Sequence, residues 1–143
     1  MNLPFYYWPE AKIQWSECQG SNAKQVLVLS GSSTNSTNTD FLAKILQAVA
    51  LDLETDVHFI HVKRTLHAHL ISDPQMNLYS KVLLFGLEPS QVGISTESFS
   101  DCSVYYFESF TCIMAPALEK IEQDPAQKKS LWSVLKHVFP NRN

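Results

Sequence analysis

The sequence predicts an α/β fold: a single three-layer domain on a mixed or partly parallel sheet of about four strands, with helices on both faces. Three observations predict it. The solid apolar runs Val26-Leu27-Val28-Leu29 and Val82-Leu83-Leu84-Phe85 suit strands that are covered on both sides. Amphipathic segments follow or separate these runs, and strands alternating with helices imply a partly parallel sheet. The chain has 143 residues, 45% hydrophobic and 17% charged, which is enough for one folded core. An aromatic arm over residues 1–23 precedes the domain, which is placed at residues 24–143.

Taken in order, the arm brings Phe5, Tyr6, Tyr7, Trp8 and Trp15 between Pro4, Pro9 and the polar Gly20-Ser21-Asn22. Two roles fit it: capping the domain's own core, or tethering another protein, since Trp and Tyr dominate binding hot spots. Gln25 to Ser30 reads as the first strand. A polar loop follows, and Asn38, Thr39 or Asp40 can cap a helix running to about Leu53, with Leu42, Ile45, Leu46 and Val49 at helical spacing. Asp56 to Val62 alternates as a second strand, with Val57, Phe59 and His61 on one side and His58, Ile60 and Val62 on the other. Asp73-Pro74 starts a short helix toward Tyr79. Lys81 to Phe85 is the third strand and Ser103 to Phe107 the fourth. Pro116 is placed at a first helical position. Asp124-Pro125 opens a longer helix in which Asp124 caps and Gln127 can close a capping box. Leu118, Ile121, Leu131, Trp132 and Leu135 are expected in the core, so Trp132→Ala should cost about 3–5 kcal/mol.

The best lead for a ligand is the loop after the first strand. A strand feeding a polar loop and a helix N-terminus can receive an anion, which singles out Ser32, Thr34, Ser36, Asn38 and Thr39. Thr34 to Thr39 looks like the flavodoxin phosphate loop, Thr/Ser-x-Thr-Gly-Asn-Thr, but Thr37 stands where that pattern has glycine. A flavodoxin-like or nucleotide-binding protein is the alternative reading. The plain reading is a capped loop. No Walker lysine, G-x-G-x-x-G or G-x-S-x-G motif is present. His58 and His61 fall on opposite strand faces, and only Asp73 lies near His67 and His69, so no metal is expected. Cys18, Cys102 and Cys112 are an odd, widely spaced set with no C-x-x-C pair, which points to inert thiols. These absences predict no catalytic residues, no enzyme activity and no cofactor.

The net charge of −3 is spread without a basic stripe, which disfavours direct nucleic-acid binding. No apolar run approaches the ~20 residues of a membrane helix. The N-terminus shows no signal-peptide pattern, so a cytoplasmic location is expected.

The segment after the fourth strand carries the identity signal. Ala115, Pro116, Leu118, Ile121, Asp124-Pro125, Lys128 and Leu131-Trp132, with Phe139-Pro140 and a short polar tail at the end, resemble the C-terminal region of the psi subunit of bacterial DNA polymerase III. Ile13-Gln14-Trp15-Ser16 is similar to a Gln-Trp-Ser segment in the N-terminal arm of that family. The resemblance implies a non-enzymatic accessory subunit that bridges the clamp-loader ATPase to the chi subunit, which contacts single-stranded-DNA-binding protein. It puts Ile13, Gln14 and Trp15 on the ATPase contact, to which the arm's own aromatic character adds Tyr7 and Trp8.

Overall fold

The computed structural model describes residues 15, 18–32, 39–63, 69–70, 73–94 and 102–139. Five strands form one sheet: β1 (Val26–Ser32), β2 (Val57–Lys63), β3 (Lys81–Phe85), β4 (Ser103–Tyr106) and β5 (Thr111–Ala115). Their order is β2-β1-β3-β5-β4. The first four in that order run parallel, while β4 lies antiparallel to β5 at the edge. The α/β fold with a mixed sheet is as the apolar runs require, but the sheet has five strands rather than about four.

The additional strand is β5, which lies between the expected fourth strand and the helical segment. Its Thr-Cys-Ile-Met-Ala is short and only weakly β-branched, and it runs straight into the Ala-Pro that starts the helical segment. Tertiary pairing supplies what local propensity does not. β5 pairs in register with β3 from Lys81↔Thr111 to Phe85↔Ala115 and closes a hairpin with β4. The hairpin turn is held by the Phe107 amide donating to the Phe110 carbonyl at 2.9 Å, with the two rings 5.0 Å apart.

α1 (Thr39–Gln47), α2 (Leu118–Gln123) and α3 (Pro125–Val138) pack on one face of the sheet. Val28, Phe59, Leu83, Phe85 and Ile113 meet Leu42, Leu46, Leu118, Ile121, Leu131 and Leu135 there. The other face is covered by 3-10 helices Pro74–Leu78 and Pro89–Val92, which bring Met76, Tyr79, Leu87 and Val92 onto Leu27, Leu29, Ile60, Val82 and Met114. The split follows from handedness. A right-handed crossover from β1 to β2 puts α1 on one face, and the return over β1 to β3 lays the 73–80 segment on the other.

Three local expectations change. α1 stops at Gln47, short of Leu53. Ala50 adopts φ 62°, the Leu51 amide donates to the Leu46 carbonyl at 2.8 Å, and the Ala50 amide donates to the Gln47 carbonyl at 3.0 Å. That is a Schellman closure with alanine where glycine is usual, so the sequence carries no stop signal. Pro116 is not the first helical residue, because α2 begins at Leu118 with Ala117 as its cap. Asp124 behaves as expected: Pro125 opens α3 and the Asp124 carboxylate accepts from the Ala126 amide at 3.0 Å.

The third change is Trp132, which is 40% exposed and not a core residue. The buried stripe of α3 is Leu131, Leu135 and Val138. Trp132 follows Leu131 and is turned about 100° away from that stripe. Trp132→Ala is therefore expected to cost about 1 kcal/mol, well below the 3–5 kcal/mol range of a core tryptophan. Urea unfolding checks this, and a loss above about 3 kcal/mol would return Trp132 to the core.

Candidate functional site

The arm meets the domain at Tyr79. Asp73-Pro74 fixes this residue: the Asp73 carboxylate accepts from the Gln75 amide at 2.9 Å and caps the 3-10 helix Pro74–Leu78. The chain then turns extended at Tyr79 to enter β3, which leaves the ring 3% exposed on the second sheet face. β2 alternation turns His58 to that face with Ile60 and Val62. Its Nδ1 lies 2.8 Å from the Tyr79 hydroxyl, with the rings edge to face at 5.7 Å. Trp15 stacks on the tyrosine with centroids 6.3 Å apart and 25° between planes. The Cys18 thiol and the Gln75 side chain also hydrogen-bond to the Tyr79 hydroxyl. One buried phenol thus collects the arm, β2 and the 73–80 segment.

Backbone pairing extends this attachment along the outer edge of β2. Gln19 and Phe59 exchange both amide bonds, at 2.9 and 2.8 Å. The Ser21, Ala23 and Lys24 amides donate to the Glu54, Thr55 and Asp56 carbonyls at 3.1, 2.8 and 2.9 Å. Gly20, at φ 96°, lies so close to the Val57 carbonyl that a Cβ would collide with it. Residues 19–24 are therefore hydrogen-bonded into the domain.

Burial sets the protonation of the cluster. It pushes the Tyr79 hydroxyl up to about 12, so the phenol stays neutral. Burial raises the Cys18 thiol, partly offset by its hydrogen bond to Tyr79. Cys112, fully buried in β5, is pushed up to about 12 by burial, so neither thiol is an activated nucleophile. Burial lowers His58 below its ordinary 6.5, which favours the neutral ring and lets Nδ1 accept from the phenol. The folded chain thus binds fewer protons here than the unfolded one. His58 imposes no penalty above about pH 6.5, and a penalty grows as pH falls from there through the lowered value. Stability should fall more between about pH 7.5 and 5 in the wild type than in His58→Gln, which urea unfolding at both pH values measures. Equal losses would remove His58 from the account.

A second place was a candidate for chemistry, the crevice at the C-terminal ends of β1 and β3. The chain leaves these neighbouring strands toward opposite sides, and doubly wound folds bind ligands at such a point. Here the crevice is packed. A Cβ on Gly31 would sit 2.8 Å from Leu87 Cδ2, and one on Gly86 would strike the Gly31 carbonyl. Among the described residues, Leu87 and Ala117 lie against these glycines, buried at 2% and 3% exposure.

Of the expected contact residues, Trp15 is placed in the Tyr79 cluster, while Tyr7, Trp8, Ile13 and Gln14 lie outside the described residues. Of the anion candidates, Ser32 is the last residue of β1, and Thr39 is exposed at the first position of α1, beside Asp40. Asp40 is a negative side chain in the turn an anion would approach. Thr34, Ser36 and Asn38 lie outside the described residues. His69 is exposed, and His67 lies outside the described residues. The role of Tyr79 was missed in the sequence. Alternation gave the face of His58, but nothing local to Asp73-Pro74 shows on which face of the sheet Tyr79 lies. No helix among the described residues is long and apolar enough to cross a membrane. No protein-family model matches the chain, and no curated protein matches it.

Proposed function

We propose that this protein is a non-enzymatic scaffold subunit of the bacterial DNA polymerase III clamp-loader complex. Its N-terminal aromatic segment holds the clamp-loader ATPase, and its α/β body presents a surface to a second accessory subunit of the chi type. The family resemblance of the Ala115 to Trp132 pattern carries this reading; Trp15 itself packs on Tyr79, the capping role for that residue, and with the Gln19–Phe59 pairing it roots the segment that precedes it. A tether works when its root is fixed, because less ordering entropy is then lost on binding. Phe5, Tyr6, Tyr7 and Trp8 precede this root and supply the large aromatic side chains that dominate interface energetics.

Two further observations support a binding rather than a catalytic role. At the strand ends, Leu87 and Ala117 are buried against Gly31 and Gly86, which narrows the place where a nucleotide would enter. The thiols of Cys18 and Cys112 are both raised by burial, the reverse of what a nucleophile needs. Mixing the full chain with the clamp-loader ATPase of the same source should give a complex that co-elutes in size exclusion at micromolar concentration. Separate elution of the two proteins would overturn the proposal.

A further inference from the structure

The α-helical side of the sheet, opposite the Trp15 cluster, carries an apolar groove whose floor is the outer surface of the core. Trp132 on α3 and Phe41 on α1 form its walls, Phe41 half-buried and Trp132 40% exposed. Ile45, Ile121, Leu131 and Leu135 form its floor, and the groove's volume is about 180 Å³. That is room for one large apolar side chain rather than for a small-molecule ligand, whose sites run to several hundred Å³.

The rim is basic. Lys44 and Lys128 line the groove, and the Lys128 ammonium sits 6.0 Å from the centre of the Phe41 ring. α3 carries Lys128, Lys129 and Lys136, all exposed, and contains neither Asp nor Glu from Pro125 to Val138. This is a local reversal of sign on a chain of net charge −3. An exposed tryptophan over an aliphatic floor with lysines at its margin has the anatomy of a recognition pocket, with an apolar centre inside a charged rim.

We propose that this groove docks an acidic, amphipathic segment of a partner protein, which inserts one large apolar side chain between Phe41 and Trp132. Its flanking carboxylates meet Lys44 and Lys128, in the helix-in-groove manner of peptide recognition. Charge selects this occupant. A second copy applied through the same face would bring two sets of α3 lysines together. A nucleic-acid base would press its polar edges onto Ile45, Ile121, Leu131 and Leu135, which offer no hydrogen bonds. The site lies on the sheet face opposite Trp15, so it stands or falls independently of the N-terminal tether.

A displayed library of random peptides, selected on the full chain and followed by synthesis of the enriched sequences, tests it. Enriched peptides should carry Asp or Glu on both sides of a single Phe, Trp, Leu or Met. Their affinity should fall at least about tenfold on Trp132→Ala and on the double change Lys44→Glu with Lys128→Glu, while Trp132→Phe keeps most of it. Far-UV circular dichroism confirms that the variants fold. Enriched peptides without an acidic bias, or binding unchanged in Trp132→Ala, would overturn the proposal. So would Trp132-dependent binding of a short oligothymidylate in place of peptide, or a dimer in sedimentation that Trp132→Ala dissociates.

Discussion

Phe85→Ala should lower the unfolding free energy by about 3–5 kcal/mol, the largest loss expected from a single side-chain truncation in this domain. Phe85 is 1% exposed on the helical face of β3. It stands in register with Ser30 of β1 on one side and Ala115 of β5 on the other. Both neighbours are small, so the ring fills space that no adjacent side chain can reclaim. The cavity left by truncation would lie between the centre of the sheet and the helices packed on it. Urea unfolding followed by circular dichroism reads the loss. A change below about 1 kcal/mol would mean that the helices do not pack on β3 as described.

Gly86→Ala should cost roughly 2–4 kcal/mol for a different reason. Gly86 has φ 75°, a region that side chains other than glycine occupy with strain. Its amide donates to the Ala115 carbonyl at 3.0 Å, so the backbone cannot rotate away without breaking a strand-end bond. A Cβ there would collide with the Gly31 carbonyl, and Ala117 stands 3.2 Å away on another side. The variant should unfold at lower urea with an unchanged slope. A Gly86→Ala protein as stable as wild type would show that the β1–β3 crevice is open rather than packed.

How much of this could be read from the sequence depended on whether the signal was local. Val26 to Leu29 and Val82 to Phe85 are unbroken apolar runs, and each proved to be a central strand. The faces of β2 followed from strict alternation. Asp73-Pro74 and Asp124-Pro125 marked starts because a capping carboxylate and a proline act on the next few amides alone. β5 was missed because its own residues are weakly strand-forming and its parallel partner β3 lies about 25 residues earlier in the chain. The end of α1 was missed because Ala50 adopts a backbone conformation that its side chain does not advertise. Trp132 was misplaced because family-like spacing and bulk suggested a core anchor, whereas the angular position one residue past Leu131 turns it outward.

The candidate site was only partly legible. The aromatic richness before residue 16 pointed to the arm, but the phenol that receives Trp15 is separated from it by most of the sheet's first half. Two inward-facing polar rings, His58 and Tyr79, meet only once β2 and the 73–80 segment are laid on the same face. The groove between Phe41 and Trp132 has the same origin, since α1 and α3 become neighbours only through the sheet.

The scaffold account is tested most directly by titrating the clamp-loader ATPase with the full chain and with a chain lacking residues 1–14, under identical salt, by calorimetry. The truncation leaves Trp15, Cys18 and the Gln19–Phe59 pairing in place, so the domain should keep its circular dichroism and urea midpoint. The account predicts that the truncated chain binds at least about 30-fold more weakly, the equivalent of losing one hot spot of ~2 kcal/mol. Equal affinity of the two chains would contradict it.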